Sequence, residues 1–138
     1  MITHSSQPID TSVKLAALWA SLMSLYIYAD YFEMKIPQDP TKGSDTPFGA
    51  ISPELLVYFS MLMIVPALMI FQSFFLKPII SKWLNIFFGS FYTIISLLII
   101  IISWNDEWRR FFVMYNFIEL LPLSLIIFSA IKWPKQYL

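Results

Sequence analysis

The sequence predicts an all-α integral membrane protein, a bundle of four transmembrane helices running up-down-up-down. Three observations carry this reading. Of 138 residues, 58% are hydrophobic and only 13% charged, more apolar surface than a soluble domain of this length can hide. Four apolar segments reach the ~20 residues that a helix rising ~1.5 Å per residue needs to cross a ~30 Å hydrocarbon core. The stretches between them are charged or carry Pro and Gly. Each span must be a helix, because hydrocarbon offers no partner to an unpaired backbone group.

The first span is Val13–Phe32, entered from Thr11 and Ser12, either of which can cap it. A cleaved signal peptide is the competing reading. Little positive charge precedes the segment and no clear small-x-small cleavage site follows it, so a retained helix is expected. The second span is Pro53–Leu76, with Ser52 as N-cap, Pro53 in the first turn and Glu54 facing the positive helix end. The third is Lys82–Ile102, closing on the run ISLLIIII, and the fourth is Arg110–Ile131. The connections Lys77–Ser81 and Ser103–Arg109 are short, which makes the helices on either side antiparallel neighbours. The longer outer loop, Glu33–Ile51, carries Pro37, Pro40, Pro47, Gly43 and Gly49. It reads as an irregular cap or, equally, as a mobile linker. Residues 1–138 form a single domain on this reading.

Composition also excludes. The formal net charge is zero, so nothing points to nucleic acid. There is no cysteine, which removes disulfides, thiol redox chemistry and thiolate metal sites together. His4 is the only histidine and lies in a polar tail, so bis-histidine haem is excluded. No cofactor and no metal is expected. Met61, Met63 and Met69 read as fillers of irregular gaps.

Four spans put both termini on one side. That side carries Lys14, Lys77, Lys82, Lys132 and Lys135, against Asp10. The other carries Lys35, Lys42, Arg109 and Arg110, with Glu33, Asp39, Asp45, Glu54, Asp106 and Glu107. Only the basic residues decide orientation, and they favour cytoplasmic termini by a narrow margin. Trp83 and Trp133 would then mark the inner interface, and Trp104 and Trp108 the outer one.

Two acids fall inside the spans, Asp30 and Glu119. An ionisable group in hydrocarbon is expensive and normally faces a protein interior or a wet cavity. Helical rise puts Glu119 ~13 Å from the outer boundary, with Asn116 one turn above it on the same face. Asp30 lies only ~3 Å below that boundary, and Tyr26 ~9 Å down. Tyr58 falls at ~7 Å, Ser96 at ~9 Å and Thr93 at ~13 Å. Every helix can therefore supply polar atoms to one layer in the outer half, whereas the inner half holds mainly Gln72 and Asn85.

Two readings of that layer stand side by side. In one, Glu119, Asn116, Tyr26, Asp30, Tyr58, Thr93 and Ser96 line a ligand-binding pocket open to the outer face. In the other, Glu119 is a hydrogen-bonded tie between helices, as polar side chains often are in lipid. Either way its carboxyl is expected to meet a polar side chain of the first or third helix, Tyr26 and Thr93 being nearest by depth. Asp30, beside Glu33, can equally face water. Ala16, Ala20 and Ser24, and Gly89 with Thr93, recur every four residues and permit close helix contact. Pro66 and Pro122 sit mid-span, where each frees a carbonyl. Arg109 and Arg110, beside Asp106 and Glu107, read as a solvated, self-paired loop, with a lipid-phosphate contact as the lesser reading.

The stretch LAALWASLMSLYIYADYFEM, then ISPELL, KWLNI and NFIELLPLSLIIFSAIKW, resembles an uncharacterised bacterial family of short four-helix membrane proteins filed under a domain of unknown function. The resemblance runs from Lys14 to Trp133. A more distant likeness is to DoxX-type four-helix proteins. The resemblance implies a four-helix bundle and an inner-membrane home; it implies no activity and carries over no catalytic residues.

Three functions remain to be weighed. The first is a binding or accessory membrane protein, whose outer-half pocket holds a small molecule or membrane lipid, or whose surface docks on a second copy or a larger complex. The second is a small oligomeric channel or transporter passing protons or small ions past Glu119. An enzyme is the weakest: without cysteine, intramembrane histidine or a phosphate-binding glycine loop, only carboxylates remain for acid–base work. A polar path through the inner half is what transport needs, and Gln72 with Asn85 is thin material for one. The lysine distribution makes one test direct. A reporter fused at Leu138 should behave as cytoplasmic; activity of a periplasm-dependent reporter there would reverse the orientation and leave the spans untouched.

Overall fold

Once the backbone must satisfy itself, these apolar segments have one solution, and the computed structural model shows it over residues 9–37, 45–46, 49–50 and 52–133. Helix α1 is Thr11–Glu33, α2 is Pro53–Phe75, α3 is Pro78–Ser103 and α4 is Arg110–Ile131. All four are long and apolar enough to cross a membrane. A single 3-10 turn, Glu107–Arg109, leads into α4. In the long connection, Asp45–Thr46 (β1) pairs antiparallel with Gly49–Ala50 (β2). The expectations placed on His4, Asp39, Pro40, Lys42, Gly43, Pro47 and Lys135 lie outside the described residues.

The helix ends follow their caps. The α1 cap is Asp10, one residue ahead of the expected Thr11 and Ser12; its carboxylate accepts from the Ser12 amide at 3.4 Å. Ser52 caps α2 as expected, accepting from the Leu55 amide at 3.2 Å. Helix α3 starts at Pro78 rather than Lys82. Proline suits a first turn, since its fixed φ is helical and it has no N–H to leave unpaired. Only Leu76 and Lys77 therefore separate α2 from α3.

Packing is uneven around the bundle. Helix α3 lies most extensively along α4, α1 packs on both α2 and α4, and α2 meets α3 only sparsely. The tightest approach is at Gly89, where a Cβ would stand 2.9 Å from Ile127 Cγ1. Leu15, Trp19 and Leu22 of α1 form the core with Met69, Tyr92, Leu123 and Ile126. Trp133, expected at the interface, joins this core at 4% exposure; Trp83, Trp104 and Trp108 do face outward. Most of the outward surface is apolar, as a helix wall against lipid requires, and α2 is the least covered of the four.

Three of the polar contacts that tie helices together lie outside the Glu119 region. The Trp19 indole N–H donates to Asn85 Oδ1 at 2.7 Å, and the Asn85 amide donates to the Ser81 carbonyl at 2.7 Å. Lys82 Nζ donates to the Ile131 carbonyl at 3.3 Å, serving an orphan acceptor at the α4 terminus. The third involves Pro66. Having no N–H, Pro66 cannot bond the Leu62 carbonyl one turn back. The Tyr92 hydroxyl, reaching from α3, donates to that carbonyl instead. Helix α2 is thereby clasped to α3 where the two helices otherwise touch little.

This arrangement predicts coupling between two positions that do not share a helix. Tyr92→Phe should lower bundle stability by ~0.6 kcal/mol and by no more than ~1.7 kcal/mol, the range for interhelical hydrogen bonds in membranes. Pro66→Ala restores the N–H that Leu62 lacks, so Tyr92→Phe should cost less in that background. Denaturant titration of the four proteins in mixed micelles measures the cycle, and equal costs in both backgrounds would contradict it.

Candidate functional site

Residues spaced three, four and seven apart share one face of a helix, and each helix turns one such stripe towards a common space. Helix α1 contributes Tyr26, Asp30 and Glu33, and α2 contributes Leu56, Phe59, Ser60 and Met63. Helix α3 contributes Tyr92, Ser96, Ile99 and Ser103. From the fourth side come Arg109, Phe112, Asn116 and Glu119. They enclose a cavity of about 440 Å³, within the ~300–1,000 Å³ usual for small-molecule sites. Its walls are mostly apolar. It lies towards the end of the bundle where Glu33 meets Arg109, and at its other end it stops on Tyr92 and the packed core.

The polar groups gather at two levels. At the deep level, Glu119 is 1% exposed, and its Oε2 accepts from the Ser96 hydroxyl at 3.1 Å. The Asn116 amide nitrogen donates to the Phe112 carbonyl at 2.8 Å, while its Oδ1 is buried without a partner. The Tyr26 hydroxyl is also buried; it approaches Ser96 but makes no hydrogen bond of ordinary geometry. The Tyr26 ring tilts against Tyr92 with centroids 5.8 Å apart. At the mouth, Arg109 Nη2 stands 3.9 Å from Glu33 Oε1, and Nη1 3.5 Å from Asp106 Oδ2.

Of the seven residues singled out from the sequence, Glu119, Asn116, Tyr26, Asp30 and Ser96 line this cavity. Tyr58 and Thr93 do not. Tyr58 is 70% exposed on the outward side of α2. Thr93 spends its hydroxyl on the Gly89 carbonyl at 2.7 Å, and the partner of Glu119 is Ser96 instead. Helical rise fixes depth, but each residue also turns ~100° about the axis. Tyr58 sits one position off the stripe of Phe59 and Leu56, and Thr93 one position off that of Tyr92 and Ser96.

Arg109 corrects the expectation of a solvated loop. Its side chain is only 18% exposed and bridges from the turn before α4 to the end of α1, whereas Arg110 and Glu107 form the expected exposed pair at 3.4 Å. Depth counting missed Arg109, Glu33 and Tyr92. The signal was present: positions 109, 112, 116 and 119 continue one helical stripe, as do 26, 30 and 33. Among the described residues, no group of three or more His, Cys, Asp or Glu side chains is placed to hold a metal ion. The arrangement places a buried acid and a buried amide acceptor at the deep end of an apolar chamber.

A family model described as "Family of unknown function (DUF6326)" matches residues 9–138. No curated protein and no solved structure matches the chain.

The Glu119–Ser96 contact predicts how two substitutions differ. Glu119→Gln keeps an acceptor for the Ser96 hydroxyl and should melt close to the parent in detergent. Glu119→Leu removes it and should lose at most ~1.7 kcal/mol, so the bundle survives. A collapse with Gln, or no difference between the two, would contradict the assigned contact.

Proposed function

The chain belongs to this family of unknown function, which passes on no activity, and from its own geometry we propose a membrane binding protein whose pocket holds a small amphipathic molecule. The observation that carries the reading is the chamber itself: apolar walls from four helices, converging polar atoms of Glu119, Asn116, Ser96 and Tyr26, and a closed far end. Small-molecule sites have this anatomy, a mostly apolar cleft with a few placed polar groups.

Passage of protons or small ions past Glu119 is the alternative, and it needs a polar route onward. Trp19, Leu22, Met69, Tyr92, Leu123 and Ile126 pack closely where that route would run. The polar atoms beyond them at Trp19, Asn85 and Ser81 are engaged with one another. Gln72 is buried with neither amide atom hydrogen-bonded, and one such side chain does not make a path.

The proposal sets the protein in a bacterial inner membrane as an up-down-up-down bundle, loosely akin to DoxX-type proteins, with both termini in the cytoplasm. The contacts of Glu33 with Arg109 and of Lys82 with Ile131 support alternating helix directions. Surrounding lipid and a second copy of the chain are the partners this setting favours.

Purification from native membrane, followed by mass spectrometry of what remains bound, tests the reading. The parent protein should retain a small molecule or lipid in near-stoichiometric amount. Met63→Trp, which fills the chamber from α2, should lose it while keeping its helical content. Equal retention by both would remove the pocket as the site. Proton flux in liposomes that vanishes with Glu119→Gln would favour transport instead.

A further inference from the structure

The charges around the chamber are not balanced, and the imbalance says what kind of head group belongs there. Asp30, Glu33 and Glu119 line it against a single lining cation, Arg109. That guanidinium sits at the mouth between Glu33 and Asp106. The deep end therefore holds an acid with no basic side chain among the residues lining it there. The hydrogen-bonding inventory leans the same way. Asn116 gives one amide N–H to the Phe112 carbonyl, and its Oδ1 is a buried acceptor without a partner. Glu119 takes one donor, from Ser96.

A buried acid and a buried unpaired acceptor are both costly, and the same ligand group relieves both: one that brings positive charge and N–H donors. An anionic head would meet Glu119 with no basic side chain lining that end of the chamber. A neutral alcohol brings one donor and no charge. The aromatic rings of Tyr26 and Tyr92 line the same chamber, and aromatic rings attract a cation. The tail has its place as well, because Leu56, Met63, Ile95 and Ile99 give the rest of the chamber an apolar lining. Helices α2 and α3 touch little, and the lining residues Leu56 and Met63 are exposed, so the chamber is open along its α2 side, where lipid would lie.

Resting on the binding reading above, we infer that the pocket selects a singly cationic amphiphile, an alkyl amine or ammonium, with its head between Glu119 and Asn116 and its tail along α2 and α3. Binding of decylamine, decanol and decanoate is measured by calorimetry on the full chain in lipid nanodiscs, with empty nanodiscs subtracted. Decylamine should bind the parent at least tenfold more tightly than either of the others. Glu119→Gln should bring decylamine down to the level of decanol, and Met63→Trp should weaken all three. Should Glu119→Gln fail to fold, Asn116→Leu carries the comparison, with a several-fold loss expected for the amine and a smaller one for decanol. If decanol or decanoate binds as well as decylamine and Met63→Trp still stops them, the pocket stands and the cationic preference falls. Preference for the amine that persists in Glu119→Gln also overturns the inference. No saturable binding of any of the three overturns the inference and the pocket together.

Discussion

The hydrogen bond from Tyr92 to the carbonyl that Pro66 leaves unserved is the contact around which the rest is arranged. In water such a carbonyl would find a solvent partner; in hydrocarbon it must find a protein one. Tyr92 supplies it across the least-packed seam of the bundle, between α2 and α3. The same ring meets Trp19 edge-on at 5.9 Å and tilts against Tyr26, so it belongs at once to the core and to the chamber. On one side of this clasp the helices close on Trp19, Leu22, Met69 and Leu123; on the other they part and leave space. A proline that weakens one helix thus creates the acceptor that fixes it to another.

Polar groups are handled differently on the two sides of that clasp. Trp19, Asn85 and Ser81 form a chain in which the indole and amide donors are all used, which costs little and ties α1 to α3. Around Glu119 the accounts stay open: one oxygen takes a hydroxyl donor, while the Asn116 carbonyl oxygen beside the chamber takes none. A buried acceptor without a donor typically costs ~1–3 kcal/mol. Space lies next to these groups, and a ligand entering it meets unmet hydrogen-bonding capacity.

The mouth of the chamber owes its shape to Arg109. It is the one lining residue that comes from the connecting turn, and through Glu33 and Asp106 it draws that turn against the end of α1. A partly buried guanidinium with two acidic neighbours can hold a fixed position that the exposed Arg110–Glu107 pair, open to screening, cannot. Neighbouring residues of the same type therefore play different parts, and the difference lies in which way the first turn of α4 faces.

The sequence by itself determined the number and the apolar character of the spans. Those follow from composition and from a rise per residue that does not depend on neighbours. It also determined that Glu119 and Asn116 share a face, since that is a property of one helix. Rotation about each helix axis was decided only by tertiary packing, because it depends on how all four surfaces fit. That rotation took Tyr58 and Thr93 out of the polar layer and brought Arg109, Glu33 and Tyr92 into it. The same packing moved Trp133 from the interface into the core and gave Glu119 a partner in Ser96 instead of Thr93. The hydrocarbon rule fixes which groups must be satisfied, and the fit of one helix against another decides by whom.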